Sequence, residues 1–439
     1  MIIKTNSVIG KIKELHGVDC APYSRNLEGN QVNVYKMFKY GGFPRSRLHD
    51  CCGAYGGTYY VDIPNIFRDF DADENLEESY DFHYTDEYIG AIIKSGAQIV
   101  YRLGVTIEWG SKKYTCHPPK DFAKWARICE HIIMHYNKGW ANGFHYDIEY
   151  WEIWNEPENP PMWTGTMEQF FDLYEVSSKY LKEKFPEIKI GGYGSCGFYA
   201  AFMPDVGAFH ESFLTWFDEF LKFVKKNNCP LDFYSWHIYT DKVSEVEASD
   251  KYVKEKLDEY GFENVESHLN EWNYGGEGGG FDQMDTLYGA SFAAAALICM
   301  QKGHVDLAQY YCVSAQGSYN GMYENLRTKA YSPVIHVFAM FKHLFNAKDE
   351  VLVEKSDNEP AVIAASDGKD IYALISNYQA DDKMIDIKID GLNGKTAYLY
   401  ELVSGKGCVK TVLGSVLECK KDSVYFITTS DECDVAVCE

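Results

Sequence analysis

Positive charge is scarce in this chain: 42 Lys and Arg stand against 65 Asp and Glu, a formal net charge of -23. Such a surface repels phosphate backbones and anionic lipid headgroups, so neither nucleic acid nor a membrane is an expected partner. Long apolar runs are also missing. The longest, ASFAAAALICM from Ala290, is too short to span a bilayer and suits a buried helix. The first residues, MIIKTNSVIGKIKELHG, hold no continuous apolar stretch and no small-residue cleavage site, so no secretory signal is expected. The 13 cysteines are odd in number and scattered without a CxxC pair, which argues against a zinc site and against a complete disulfide framework. Together these point to reduced thiols and a cytoplasmic location, with the adjacent Cys51 and Cys52 as packing residues. His131 and His135 have helical i, i+4 spacing but lack the glutamate of HExxH, so neither a metal nor another cofactor is expected.

What the chain has in quantity is aromatic surface. Phe, Tyr and Trp make up 15% of it, with 34 Tyr and 9 Trp, while 46% apolar and 24% charged residues are ordinary for a globular protein. Aromatic side chains combine flat apolar faces with polar tips, which suits sugar rings and large cores alike.

Short apolar segments recur, each followed by a stretch of helical periodicity, the pattern of a parallel sheet built from strand and helix units. In order they are KELHGVDCAPYS, FPRSRLHDCC, AQIVYRLGV, YWEIWNEP, IKIGGYGS, DFYSWHIY, ESHLNEWN and VDLAQYYCVSAQ, about eight, the number a closed (β/α)₈ barrel needs. Between them, TDEYIGAIIKSG reads as a helix capped by Thr85 or Asp86 and ended by Gly96. PPKDFAKWARICEHIIMHYN, MEQFFDLYEVSSKYLKEKF and ESFLTWFDEFLKFVKKNN show helical spacing as well, and YSPVIHVFAMFKHLFN would be the last barrel helix. From Val351 the segments AVIAAS, DIYALISNY, MIDIKIDGL, TAYLYEL and SVYFITT alternate on the strand period with no helix among them. The expected organisation is a barrel over residues 1–346, whose first residues can join the second unit, and a β-sandwich over 347–439.

The stretch EYWEIWNEPENPPMW, from Glu149 to Trp163, puts Glu156 where a strand must lose regularity, because Pro157 cannot donate to the ladder. Asn155 and Glu156 are then both free to turn toward a pocket at the C-terminal end of the barrel, where functional groups of such folds collect. ESHLNEWNYGG sets Asn270 and Glu271 at the end of the seventh strand in the same way. Two carboxylates so placed are candidates for glycoside chemistry.

At these residues the chain resembles the retaining glycoside hydrolases of clan A, in particular family 39 with its β-xylosidases and α-L-iduronidases. The resemblance rests on WEIWNEPEN followed by Trp163, on HLNEWN, on RLHD at Arg47 to Asp50, on PPKDFAKW and on SWHIY, and covers most of the barrel. It implies that Glu156 is the acid/base and Glu271 the nucleophile, and that Asn155 bonds the sugar 2-hydroxyl. It further implies that His237 and Tyr239 form a sixth-strand pair, the tyrosine orienting Glu271, and that Arg47 and His49 line the innermost sugar subsite.

In such a site an ionised Glu271 should raise the pKa of Glu156, and once Glu271 is glycosylated Glu156 should relax and act as base. Trp154 and Trp163 are expected to stack on sugar, whereas Trp151 reads as barrel core. The chain departs from the family's xylosidase wording in two places: Glu158 follows Pro157 and adds a carboxylate near the mouth, and YRLGVTIEWG brings Glu108 close to the cleft. The glycine run GGEGGG from Gly275 could offer backbone N–H groups to a uronate. The resulting expectation is an exo-acting retaining glycosidase of oligosaccharides or glycosides, acting on β-xylosides. α-L-Arabinosides or α-L-iduronides are the alternative sugars, and a non-catalytic carbohydrate-binding barrel is the alternative of another class. The sequence leaves the oligomeric state open, homo-oligomers included.

Overall fold

The computed structural model describes residues 1–20, 24–27, 30–33, 35–51, 60–276, 282–313, 322, 331–392 and 394–438. Residues 21–23, 52 and 314–316 of three expected strands, and residues 277–280 of the glycine run, lie outside them. Eight parallel strands close into a barrel: β1 Glu14–Asp19, β2 Arg45–Arg47, β3 Gln98–Leu103, β4 Tyr150–Ile153, β5 Lys189–Ser195, β6 Phe233–Thr240, β7 Glu266–Tyr274 and β8 Leu307–Tyr310, with β8 pairing back onto β1. The helices are α1 Tyr35–Gly41, α2 His83–Ser95, α3 Phe122–Lys138, α4 Met167–Lys184, α5 Ala208–Asn227, α6 Val243–Glu259, α7 Leu287–Lys302 and α8 Pro333–Ala347. The (β/α)₈ barrel read from the sequence is therefore the fold. Its strands are almost wholly buried because both faces are covered, and the polar side chains they carry lie inside the barrel or under the helices.

Local chemistry sets most helix ends. Asp121 accepts from the Lys124 N–H to open α3, Thr166 and Gln169 form a reciprocal capping box on α4, and Gly96 ends α2 in the left-handed conformation. The start of α2 differs from expectation. It begins at His83 after Phe82 with no side-chain cap, because Thr85 donates to the Tyr60 carbonyl and Asp86 accepts from His135 Nε2 and the Tyr136 hydroxyl. His135 bonds Trp140 O through its other nitrogen and His131 bonds Arg127 O, so the helical histidine pair serves packing.

A second sheet of eight strands lies beside the barrel, in the order Lys388–Asp390, Ile2–Lys11, Asp349–Glu354, Ala361–Ser366, Ile371–Ser376, Val424–Thr428, Tyr398–Ser404, Gly407–Val412. The first residues of the chain belong to it, pairing antiparallel with Asp349–Glu354. Period-two alternation divides its side chains between two layers. Ile363, Leu374 and Phe426 join the barrel core, while Val362, Ile375 and Ile427 pack under the small sheet Lys383–Asp386/Val416–Cys419. This covering explains why α7 is apolar almost all round: it has the barrel on one side and the sheet on the other. Among the described residues no helix is long and apolar enough to cross a membrane.

Candidate active site

β4 stops at Ile153, and the next residues break the strand sharply: Trp154 and Glu156 both take left-handed backbone angles, φ 72° and 45°. Non-glycine residues adopt that region at some cost, and such strain collects at functional sites. It is held by the Glu156 N–H, which donates to the carbonyls of Tyr193 and Gly194 at 3.0 Å each. Gly194 has no alternative residue here, since a Cβ would stand 2.9 Å from Asn155 Oδ1 and 3.2 Å from His237 Nε2, at a φ of 64°.

On the opposite wall, the pairing of β7 with β6 slips by one residue between Leu269 and Glu271. The bulge turns consecutive side chains, Asn270 and Glu271, into the same interior. Asn270 donates to Glu152 at 2.6 Å. Glu271 accepts from Arg47 Nη1 and from the Tyr239 hydroxyl, at 2.8 Å each. Arg47 is the hub: its Nε donates to Glu152 at 2.7 Å, its Nη2 to Asn155, and Nη1 also faces Asp19 at 3.4 Å. Its planar fork meets four partners in different directions, which a point charge could not do.

The two carboxylates meet through His237. Its Nδ1 lies 2.8 Å from Glu156 Oε1 and 3.6 Å from Glu271 Oε2, and ligand-capable atoms of the three residues lie within 4.8 Å of one another. This is the one group of three among the described residues compact enough to hold a metal ion, and its atoms are engaged in hydrogen bonds with one another, Asn159, Tyr239 and Arg47.

Electrostatics departs from the like-charge expectation. Burial pushes Glu156 up, but the hydrogen bonds from His237 and Asn159 outweigh it and hold the carboxyl below its ordinary value. For His237 burial works downward, and the charges of Glu271 and Glu156 more than offset it, raising the imidazole above 6.5. The proton therefore belongs to the Glu156–His237 pair. Deeper in, burial is outweighed for Glu152 by Arg47, Ser235 and Asn270, which keep it low, whereas Asp19 is driven well up. Asp50, in contact with Tyr311, Ile107 N–H and His49, rises to about 7, chiefly through burial and the charge of Glu271. Burial and the charges of Arg102 and Arg47 leave His49 neutral.

The sequence-derived residues thus converge: Asn155, Glu156, Arg47, His49, His237, Tyr239 and Glu271 share one chamber. Two are corrected in role. Arg47 is 0% exposed and lies beneath Glu271 and Asn155, so it positions them and cannot touch a sugar directly. Trp163 is 3% exposed, packed edge to face on Trp154, with its indole N–H on Thr166 O. Like Trp154 and Trp151 it is core and offers no face for stacking.

Two expected carboxylates also turn away from the mouth. Glu158 is buried against Ser195 and Cys196, and Glu108 accepts from three backbone N–H groups of its own loop. Gly275 spends its N–H on Thr240 O. Glu152 and Asp19, missed as site residues, left a faint signal: acidic side chains inside otherwise apolar strands must be paired.

A family model described as glycosyl hydrolases family 39 matches residues 56–377. A β-xylosidase of Geobacillus stearothermophilus is 26% identical over 205 residues, 44% of this chain and 37% of that protein. The chain thus spans little more than a third of the length of the curated relatives it matches. Among solved structures, a glucosidase from Croceicoccus marinus aligns over 100% of both chains with a TM-score of 0.76 and 22% identity. A monomeric β-xylosidase from Caulobacter crescentus CB15 aligns over 100% of this chain and 99% of that one, with a TM-score of 0.70 and 15% identity. These likenesses show a shared fold. The family match extends over most of the chain and takes in both Glu156 and Glu271, and so the chain belongs to glycosyl hydrolase family 39.

Proposed function

We propose that the chain is an exo-acting retaining glycosidase that cleaves neutral pentosides, β-xylosides first among them, by double displacement. One observation carries this reading: carboxylate oxygens of Glu156 and Glu271 lie within 4.8 Å of each other. Retaining enzymes set the two carboxyl groups about 5–5.5 Å apart, and inverting enzymes need about 6.5–9.5 Å to admit a water.

In the first step the Glu271 carboxylate, oriented by Arg47 and Tyr239, attacks the anomeric carbon. The bond to the leaving oxygen breaks, and Glu156 delivers to that oxygen the proton it shares with His237. With Glu271 esterified its charge is gone, and one of the influences that raise His237 goes with it. Glu156 then takes a proton from the water that displaces Glu271, which restores the pair.

A neutral glycone is favoured over a uronic acid. The cationic groups of the chamber are committed to carboxylates, and Asp50, which keeps some exposure, adds a further acid. The β-xylosidase relatives support xylose as the first sugar, with α-L-arabinosides as the second reading. The cysteines described are all free thiols, which suits a reducing, cytoplasmic setting.

The test is chromophore release from nitrophenyl glycosides of both anomers of xylose, arabinose, glucose, galactose and a uronic acid. Release from a β-xyloside, lost in Glu271→Ala and accompanied by a single glycosyl adduct on Glu271 in quenched wild type, is the expected result. Release from the uronide alone would sink the neutral-pentoside reading. A folded protein silent on every sugar, aryl and oligomeric, would sink the glycosidase reading itself.

A further inference from the structure

The loop after β3, TIEWGSKKYTCH from Thr106 to His117, is built with more care than a surface connection requires. The Glu108 carboxylate accepts from the N–H groups of Tyr114, Thr115 and Cys116 at 3.0 to 3.2 Å, closing residues 109–113 into a compact tip. The loop is fastened to the β4 loop at three points. Glu108 N–H donates to Pro161 O at 3.1 Å, Thr164 N–H to Cys116 O at 3.0 Å, and His117 Nδ1 meets Thr164 Oγ1 at 2.7 Å. The β4 loop itself runs from Glu156 through two successive turns, Asn159 N–H to Glu156 O and Met162 N–H to Asn159 O. Turns of this kind keep their ends under about 7 Å apart, so two in succession keep Pro161 within about 14 Å of Glu156.

On this braced tip stand two large, exposed aromatic residues. Trp109 is 74% exposed and Tyr114 69%, while Trp151, Trp154 and Trp163 are all buried. Lys112 covers one side of Tyr114, its Nζ 4.9 Å from the ring centroid. A fully exposed Trp is unusual on a protein surface and marks a binding function more often than an isolated Leu or Val would. Sugar rings carry apolar C–H faces that fit aromatic faces.

We infer that Trp109, with Tyr114 beside it, is a platform for the leaving-group side of a neutral oligosaccharide, binding the sugar ring or rings beyond the bond that Glu156 protonates. This rests on the glycosidase reading above and deepens it: the preferred substrate is an oligosaccharide and not a simple glycoside. The stacking surface absent from Trp163 is supplied by Trp109.

The experiment compares β-1,4-xylotetraose with nitrophenyl β-xyloside in wild type, Trp109→Ala and Tyr114→Ala. For Trp109→Ala the ratio of kcat/KM on the tetraose to that on the aryl glycoside should fall about tenfold, mostly through KM. Tyr114→Ala should give a smaller fall in the same direction. An unchanged ratio overturns the platform, as does an equal loss on both substrates. A binding arm separates this outcome from failure of the glycosidase reading. In Glu271→Ala protein, xylotetraose should perturb tryptophan fluorescence, and adding Trp109→Phe should remove most of the change and Trp109→Ala weaken binding at least fivefold. If wild type cleaves nothing but this binding pattern holds, the platform stands and the catalytic reading falls. If the tetraose does not bind, or binds equally well without Trp109, the platform is refuted.

Discussion

Glu158 offers the cleanest quantitative test of the site's electrostatics. Its Oε1 accepts from Ser195 Oγ and Cys196 N–H at 2.8 Å each, and its buried Oε2 has no partner among the described residues. Burial, helped by the nearby charge of Glu156, moves the carboxyl from 4.5 to about 7. The difference is about 2.5 pH units, which at about 1.4 kcal/mol per unit amounts to about 3 kcal/mol. Below pH 4.5 the group is protonated both folded and unfolded. Between 4.5 and 7 only the folded state holds the proton, so stability falls as pH rises, and above 7 the full cost is present.

Glu158→Gln cannot ionise and escapes this cost. Relative to wild type it should gain about 3 kcal/mol between pH 4.5 and 8.5, with all other titrating groups common to both proteins. Urea unfolding at several pH values, followed by tryptophan fluorescence, measures the difference. Parallel stability curves for the two proteins would refute the reasoning, because they would mean that Glu158 is solvated or ionised at ordinary pH.

Four further outcomes are expected. Glu156→Ala should slow cleavage of glycosides with poor leaving groups by about 10²–10⁴-fold, and of activated aryl glycosides far less, read from kcat/KM across leaving groups of graded acidity. Tyr239→Phe removes one donor to Glu271 and should lower kcat/KM about ten- to hundredfold on every glycoside cleaved, read from initial rates. The basic limb should lie above 6.5, where the proton shared with His237 is lost; His237→Ala should replace it with the titration of Glu156 alone, and a superimposable basic limb would contradict the shared proton. Arg47→Lys cannot span Glu152, Glu271 and Asn155 at once, so it should destabilise the protein by about 3–5 kcal/mol in denaturant titrations and lower turnover.

Much of this molecule is legible in its sequence because the signals are local. Strand and helix segments alternate with their own periods, Gly96 marks the end of a helix, and Pro157 marks where β4 fails beside Glu156. What escapes the sequence depends on the third dimension. Thr85 and Asp86 look like caps, yet Tyr60 and His135 lie close enough in space to claim them. Trp163 looks like a sugar platform because it follows Glu156 in the chain, but α4 and Trp154 enclose it. The bulge at Asn270 has no glycine or proline to betray it, and without it strict alternation would point Asn270 and Glu271 to opposite faces. Glu152 is visible only as an acid in an apolar strand; that Arg47, Ser235 and Asn270 satisfy it is a property of barrel closure.

The same geometry accounts for how one site can serve two chemically opposite steps. Two bare carboxylates this close would divide one proton by mutual repulsion, and its position would follow small changes in solvent. Here Glu271 accepts hydrogen bonds from Arg47 Nη1 and the Tyr239 hydroxyl, which hold its carboxyl group in place. Glu156 instead faces His237, whose affinity for the proton depends in part on the charge of Glu271. In the double displacement proposed above, the glycosyl ester removes that charge after the pair has given its proton to the leaving oxygen, so the pair has less affinity for a proton from solvent and Glu156 stands ready to accept one from the attacking water. On that proposal the switch between acid and base would follow the covalent state of Glu271, which His237 faces across 3.6 Å.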